Sequence, residues 1–328
     1  MIKLDSILKF EIYNFLDIRK FTKSESTYRH DKKYLIDFDN YLCSIYCDNK
    51  NLTEKQITDW VKTLKGKTSS IANIIIVIRI FLKQLTSYGI YSYIPTIPKV
   101  HDDYIPYIFS DIEVSKIFSS ADNLVKSNYV QENIFIHLEM PMLLRLMYGC
   151  GLRTGEALAL KYENIDLELG VLNLEKTKGN KQRIVPMHHS LTKILQKYCI
   201  AMGIIGKPNK LLFPRKDKMV AIKPSDAKNK FHEMLNGMNI ILSARKKYER
   251  GPCLHCLRHV FVFKSFANCE RNGNKIDDVV PHLSFYLGHE SLKETDKYFK
   301  FSNEVFPKEL KLFEEYTLDI FPEVNYGE

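Results

Sequence analysis

Between residues 28 and 45 apolar side chains fall at Tyr34, Leu35, Phe38, Tyr41, Leu42 and Ile45, the i, i+3/4, i+7 spacing of one buried helical face. The spacing predicts a helix there. A second is predicted from Thr53, whose hydroxyl can cap a first turn while Gln56 reaches back from three residues on. Ile57, Trp60, Val61 and Leu64 form its stripe. Ile71, Ile74, Ile75, Ile78, Leu82 and Leu85 mark a third helix that ends before Gly89. Residues 1–92 therefore read as an all-helical domain. The run IYSYIPTIPKVHDDYIP that follows carries Pro95, Pro98 and Pro106, which remove backbone donors and disfavour helix at the residues before them. It reads as a linker over 93–106.

The pattern changes in the second domain, 107–328. Ser110 and Glu113 form another capping box, predicting a helix to about Ala121. Ile134 to Tyr148 is apolar enough for a buried helix, with Pro141 as a kink or a first-turn residue. Then VLNLE (171–175) and QRIVP (182–186) alternate as strands around Lys178-Gly179-Asn180, the pattern of a β-hairpin. The remainder reads as helix, with loops at 207–210 and 271–275. The fold class is mainly α with a small β-hairpin: a helical domain followed by an α+β domain.

Composition narrows the function classes. The 328 residues are 45% hydrophobic, enough for a sizeable core, which excludes a collagen, a disordered tail or a disulfide-stapled mini-protein. Lys and Arg number 48 against 39 Asp and Glu, a formal +9 with a pI near 9.0, which favours a polyanionic partner. MIKLDSILKF lacks the succession of a secretory signal, and the longest apolar candidate, Ile71 to Leu85, is interrupted by Asn73, Arg79, Lys83 and Gln84. A soluble cytoplasmic protein with no membrane partner is expected. Seven cysteines, an odd number, fit reduced thiols better than a disulfide framework.

Five short features could carry chemistry, and each has a plain structural reading. In GCGLRTGEALAL, Arg153 stands where glycines end one helix and another begins, with Glu156 three residues on, a spacing that also suits a structural ion pair. The segment TKGNKQR gathers Lys178, Lys181 and Arg183 at the hairpin tip, as a solvated turn would. Cys253-Leu-His255-Cys256-Leu-Arg258-His259 puts His255, Arg258 and His259 at i, i+3 and i+4 on one helical face, several donors for a phosphate. Cys253 and Cys256 resemble half a zinc site, but the chain has no second CxxC pair, so no metal is expected. Last, YLGHESLKETDKYF holds His289 after Gly288 and Tyr298 nine residues later, where a packing tyrosine would be ordinary. Each is weak alone. Their order in one domain behind a basic helical module is not.

On these residues the chain resembles the tyrosine recombinases, or phage-type integrases. Arg153 in GLRTGEAL matches the family's first arginine, Lys178 its hairpin lysine, and His255 and Arg258 its His-x-x-Arg pair. His289 in LGH matches the third box and Tyr298 the nucleophile. The match covers roughly 106–300, and the N-terminal module looks like the family's core-binding (SAM-like) domain. The stretch from His259 to His289 is longer than in compact Xer-like members, and NGNKIDDVVPHLSFY resembles integrases carried by transposons and other mobile elements.

The resemblance implies site-specific recombination, of integrase or transposase type, by transesterification. The Tyr298 oxygen attacks a DNA phosphorus, a 3′-phosphotyrosyl bond replaces the strand linkage, and the 5′-hydroxyl leaves, with no cofactor required. Arg153 and Arg258 would stabilise the phosphorane charge, His255 and His289 would hydrogen-bond it and help the phenol lose its proton, and Lys178 would protonate the leaving oxygen. The implied partners are double-stranded DNA bearing recombination sites and other protomers of a DNA-bound homo-tetramer, with partner recombinases as a further option, at the nucleoid. Candidates for DNA contact are Lys67, Arg79, Lys181, Arg183, Lys228 and Lys230. The tail from Asn303 to Leu318 is amphipathic and would dock on its own domain or on a neighbouring protomer. Two other readings stay open: a type IB topoisomerase-like nicking and resealing activity, and a non-catalytic DNA-binding regulator with the same fold.

Overall fold

The computed structural model describes residues 3–100, 106–126, 134–175, 182–215, 220–240, 251–273, 275–289 and 291–292. The chain divides into two compact units, Met1–Asp102 and Asp103–Glu328. In the first, four helices α1 (Lys9–Thr22), α2 (Glu25–Ser44), α3 (Glu54–Thr63) and α4 (Thr68–Thr86) enclose one core. Thr53 and Gln56 close the capping box read from sequence: the Gln56 N–H donates to Thr53 Oγ1 (3.3 Å) and the Thr53 N–H to Gln56 Oε1 (2.9 Å). Phe38 and the buried Trp60 meet edge-on at 4.9 Å, and Phe15 meets Phe81 at 5.5 Å.

Helix α1 is an element that periodicity did not reveal. Its buried stripe, Ile12, Phe15 and Leu16, is flanked by exposed Phe10, Ile18 and Phe21, so apolar residues occur on both faces and blur the period. A buried ion pair, Arg19 to Asp31 at 2.6 Å, ties α1 to α2. Helix α4 is long and apolar enough to cross a membrane by length and composition alone, despite its interruptions. Its Ala72, Ile75, Ile78, Phe81, Leu82 and Leu85 are buried in the bundle. The first part of the expected linker is held to this unit. The Tyr93 N–H donates to Leu52 O (3.0 Å), the Tyr91 N–H to Asn51 Oδ1 (2.8 Å), and Arg79 to Pro95 O.

The second unit is built around α6 (Ile134–Cys150), against which α5 (Asp111–Lys126), α8 (His189–Ala201), α9 (Pro224–Gly237) and α10 (His255–Arg271) pack. Met140, Met142, Leu143, Leu144, Leu146 and Met147 are all buried, so α6 is apolar around most of its circumference, as a central helix must be. It runs through Pro141. A short α7 (Thr154–Leu158) leads into a three-stranded antiparallel sheet, β1 (Ile165–Asp166), β2 (Val171–Leu174) and β3 (Arg183–Pro186), in the order β1-β2-β3. Leu174 pairs with Arg183 and Leu172 with Val185, the predicted hairpin register, while the two-residue β1 is too short to show a period. Helix α11 (Ile276–Leu287) packs on α10 and β3.

One buried charge opposes this core. Among the described residues neither carboxylate oxygen of Glu139 on α6, both buried, has a hydrogen-bond partner, and burial pushes its pKa up to about 8 from an ordinary 4.5. The folded state therefore holds a proton that the unfolded chain releases above about 4.5, so the stability Glu139 permits is full below that pH and is lost as pH rises to about 8. Glu139→Met should raise the urea midpoint at pH 8 and change it little at pH 4. Equal shifts at both pH values would contradict a buried neutral acid.

Candidate active site

Two helices of the second unit end in left-handed glycines, and those ends build the site. Helix α6 terminates at Gly151 (φ +60°) and α11 at Gly288 (φ +63°). A side chain at either would be strained and obstructed: a Cβ would lie 2.6 Å from the Phe261 ring at Gly151 and 2.8 Å from Arg183 Nη1 at Gly288. The last carbonyls of a helix lack intrahelical partners and carry the negative end of its dipole. Here arginines take them. Arg258 donates from Nη1 to Gly151 O (2.6 Å) and from Nη2 to Leu287 O (2.8 Å). Arg153 donates from Nη1 to the same Leu287 O (3.2 Å) and from Nη2 to Gly288 O (3.0 Å).

Glu156 lies between the guanidinium groups. It receives a bidentate pair from Arg183 at 2.9 and 2.8 Å, the Arg153 Nη1 at 2.9 Å and the Arg153 backbone N–H at 2.9 Å, and Arg258 Nη1 approaches to 4.0 Å. Burial alone would raise this carboxyl's pKa, but the hydrogen bonds and charge of Arg183, with the backbone N–H and side chain of Arg153, hold it down at about 2. His289, reached through the αL turn at Gly288, stands 3.0 Å from Arg258 Nη2. A guanidinium cannot accept, so Nε2 is the acceptor and Nδ1 is assigned the ring proton. Burial, then the charges of Arg258, Arg153 and Arg183, push the His289 pKa down to about 3, and the ring is neutral at physiological pH. Three guanidinium groups against one carboxylate give this pocket a surplus of two positive charges, which suits an anion.

Arg258 is almost wholly buried, Arg153 keeps about a fifth of its side chain exposed, and His255 is exposed one turn before His259. The rings of His255 and His259 meet edge-on at 4.7 Å. Arg153 and, more than a hundred residues later in the chain, His255, Arg258 and His289 are thus organised on the ends of α7, α10 and α11. Residues 111–304, more than half of the chain and a span that includes all of them, match the model of the phage integrase family. The chain belongs to this family, the tyrosine recombinases. A putative integrase/recombinase of Sinorhizobium fredii, y4rB, is 25% identical over 230 residues, 64% of this chain and 66% of that protein, just under two thirds of its length. The tyrosine recombinase XerD of Rickettsia conorii is 25% identical over 286 residues, 81% of this chain and 85% of that one. Among solved structures, the Tn1549 transposon integrase in complex with circular intermediate DNA shares the fold with a TM-score of 0.61 at 15% identity, over 90% of this chain and 95% of that one.

Lys178, Lys181 and Tyr298 lie outside the described residues, as does the tail from 303 to 318. Three of the basic residues expected to contact DNA have partners within the protein. Arg183 is buried with its guanidinium on Glu156, Arg79 donates to Pro95 O, and Lys230 pairs with Glu233 at 2.8 Å. The reason for Arg183 is register: on β3 it shares the inward face with Val185, while Ile184 and Pro186 point outward. The same alternation in RIVP was the available signal for its place in the pocket. Lys67 and Lys228 are exposed. Among the described residues no group of three or more His, Cys, Asp or Glu side chains could hold a metal ion.

Because the folded-state pKa of Glu156 is depressed, its ion pairs contribute fully above about 4.5, and that stability is lost as pH falls towards about 2. Glu156→Gln should cost about 3–5 kcal/mol at pH 7, as buried guanidinium groups lose their counter-ion. It should also flatten the acid limb of stability against pH. Urea melts at stepwise pH measure both, and a variant that keeps the wild-type acid limb would place that titration elsewhere.

Proposed function

We propose that this chain is a site-specific DNA recombinase of the integrase or transposase type, cutting and rejoining strands through a 3′-phosphotyrosyl bond at Tyr298. The observation that carries the reading is the single carbonyl of Leu287, which accepts from both Arg153 and Arg258. It fixes two guanidinium groups side by side beside neutral His289, in a pocket of net positive charge, before any substrate binds. Preorganised donors of this kind suit the charge that gathers on the non-bridging oxygens of a phosphorane, and losing one costs about 3–4 kcal/mol of barrier.

In this mechanism Arg153 and Arg258 bind the scissile phosphate and His255 adds a hydrogen bond from the exposed start of α10. A tyrosine phenol, whose unperturbed pKa is about 10, needs a base to attack at neutral pH. His289 can take that proton once a bound phosphate draws Arg258 away from its Nε2. Lys178 protonates the departing 5′-oxygen. Because the phosphotyrosyl ester conserves the energy of the phosphodiester, a 5′-hydroxyl from a second duplex reverses the step. Exchange of both strands of two duplexes consumes four nucleophiles, which a homo-tetramer on paired recombination sites supplies, acting at the nucleoid. The length of the 272–286 segment and the likeness to a transposon integrase favour a mobile element as its origin.

The test uses nicked duplexes from the ends of the DNA element carrying the gene, with neither metal nor nucleotide. Wild type should give a protease-sensitive covalent adduct on a denaturing gel and Tyr298→Phe none. An adduct that survives in Tyr298→Phe assigns the nucleophile to another residue, and tight binding without adduct favours a DNA-binding regulator. Relaxation of supercoiled DNA without strand exchange favours a topoisomerase. In the same assay format, Lys67→Ala and Lys228→Ala should each weaken binding across all sequences and reduce the slope of log K against log salt by about 1.

A further inference from the structure

Two sulfurs stand at the start of the His-x-x-Arg helix, Cys253 just before it and Cys256 in its first turn. Cys253 Sγ and Cys256 Sγ are 3.6 Å apart, and the Cys253 N–H donates to Cys256 Sγ at 3.3 Å. The backbone between them is already folded back, since the Cys256 N–H donates to Cys253 O at 2.9 Å. Cys256 is 1% exposed and part of the core of the second unit, whereas Cys253 is only half-buried. The tight turn enclosed by the pair contains Leu254 and His255, and Arg258 follows two residues later.

We propose that Cys253 and Cys256 form a reversible disulfide that inactivates the pocket by displacing His255. The inference rests on the recombinase reading, in which His255 and Arg258 hold the scissile phosphate. Hydrogen peroxide is the oxidant. The Cys253 sulfur attacks a peroxide oxygen, the O–O bond breaks, and a sulfenic acid and water form. The Cys256 thiol then attacks that sulfur, the S–O bond breaks, and a second water leaves with the Cys256 proton. The two sulfurs together give up two electrons to one peroxide, and a dithiol reductant reverses the change.

The geometry assigns the order of attack. Cys253 lies two residues before the start of a 17-residue helix, where the helix dipole favours a thiolate, and it is the less buried of the two cysteines. Cys256 is the resolving partner: the hydrogen bond with the Cys253 side chain, and then burial, raise its pKa and keep it a thiol. A disulfide needs its sulfurs about 2.05 Å apart. Buried Cys256 is packed on all sides, so the closing movement falls on Cys253 and the turn that carries His255. Arg258 is anchored by Gly151 O and Leu287 O and stays in place. Oxidation therefore separates His255 from the guanidinium beside which it would work.

Trypsin releases the pair in one peptide, Gly251–Arg258 (GPCLHCLR), in which these are the only cysteines. The full-length protein is treated with hydrogen peroxide, alkylated, digested and weighed, while a parallel sample is given the nicked duplex. The peptide should lose two hydrogens and its capacity for two alkyl groups. Adduct formation should fall by about a hundredfold, the effect of losing one transition-state donor, and dithiothreitol should restore both. Cys253→Ser should form adduct normally and keep that activity in peroxide. Cys256→Ala should behave the same way, unless its buried site unfolds it, in which case Cys253→Ser decides. Two alkylated thiols persisting in peroxide-treated wild type would overturn the disulfide. A disulfide formed with adduct yield unchanged would overturn the switch. Reduced protein that makes no adduct would sink the recombinase reading and with it the switch, while the peptide mass alone would still decide the disulfide.

Discussion

A single carboxylate makes the pocket possible. Three guanidinium groups brought together in a mostly buried space repel one another, and taking each out of water is costly unless its protons are bonded. Glu156 answers both demands. Its two oxygens take a bidentate fork from Arg183 and a third bond from Arg153, and Arg258 stands 4.0 Å away. Arg183 neutralises most of what Glu156 would otherwise remove from Arg153. The carboxylate therefore orders the cluster and still leaves it positive, as the proposed phosphate site requires.

The other half of the support comes from peptide carbonyls. Gly151 O, Leu287 O and Gly288 O lie at the ends of two helices, where carbonyls have no partner of their own, and each receives an arginine proton. This exchange satisfies the backbone and fixes the guanidinium planes without adding negative charge. It also explains why both turns carry glycine. The left-handed conformation that ends each helix is strained for other residues, and the space beside each turn is filled, by Phe261 at one and Arg183 at the other.

Helix α11 gives the segment between His259 and His289 a structural task. It packs on α10 and β3 and delivers its C-terminal carbonyls to Arg153 and Arg258. The Gly288 turn then returns the chain so that His289 meets Arg258. Within this segment Ile276–Leu287 forms a helix whose end completes the pocket. The same α10 that presents Arg258 begins at the paired thiols, so chemistry at Cys253 and Cys256 acts on the first turn of the element that carries the site.

Local chemistry was legible in the sequence. Capping boxes at Thr53 and Ser110, the stripes of α2 to α4, the apolar α6 and the alternation of β2 and β3 rest on contacts within a few residues, and each formed as its pattern predicted. Arg153, His255, Arg258 and His289 were identifiable because motif spacing survives in the chain order. What tertiary structure decided is where side chains with several available partners went. Arg183 and Arg79 read as surface cations because sequence records their charge and not the face on which a strand or helix presents them. Burial gave one to Glu156 and the other to a carbonyl. Helix α1 escaped notice because its exposed apolar residues hide the period that packing selects. The meeting of Arg153 with Gly288, 135 residues away, depends on where two helices end in space, which no local pattern encodes.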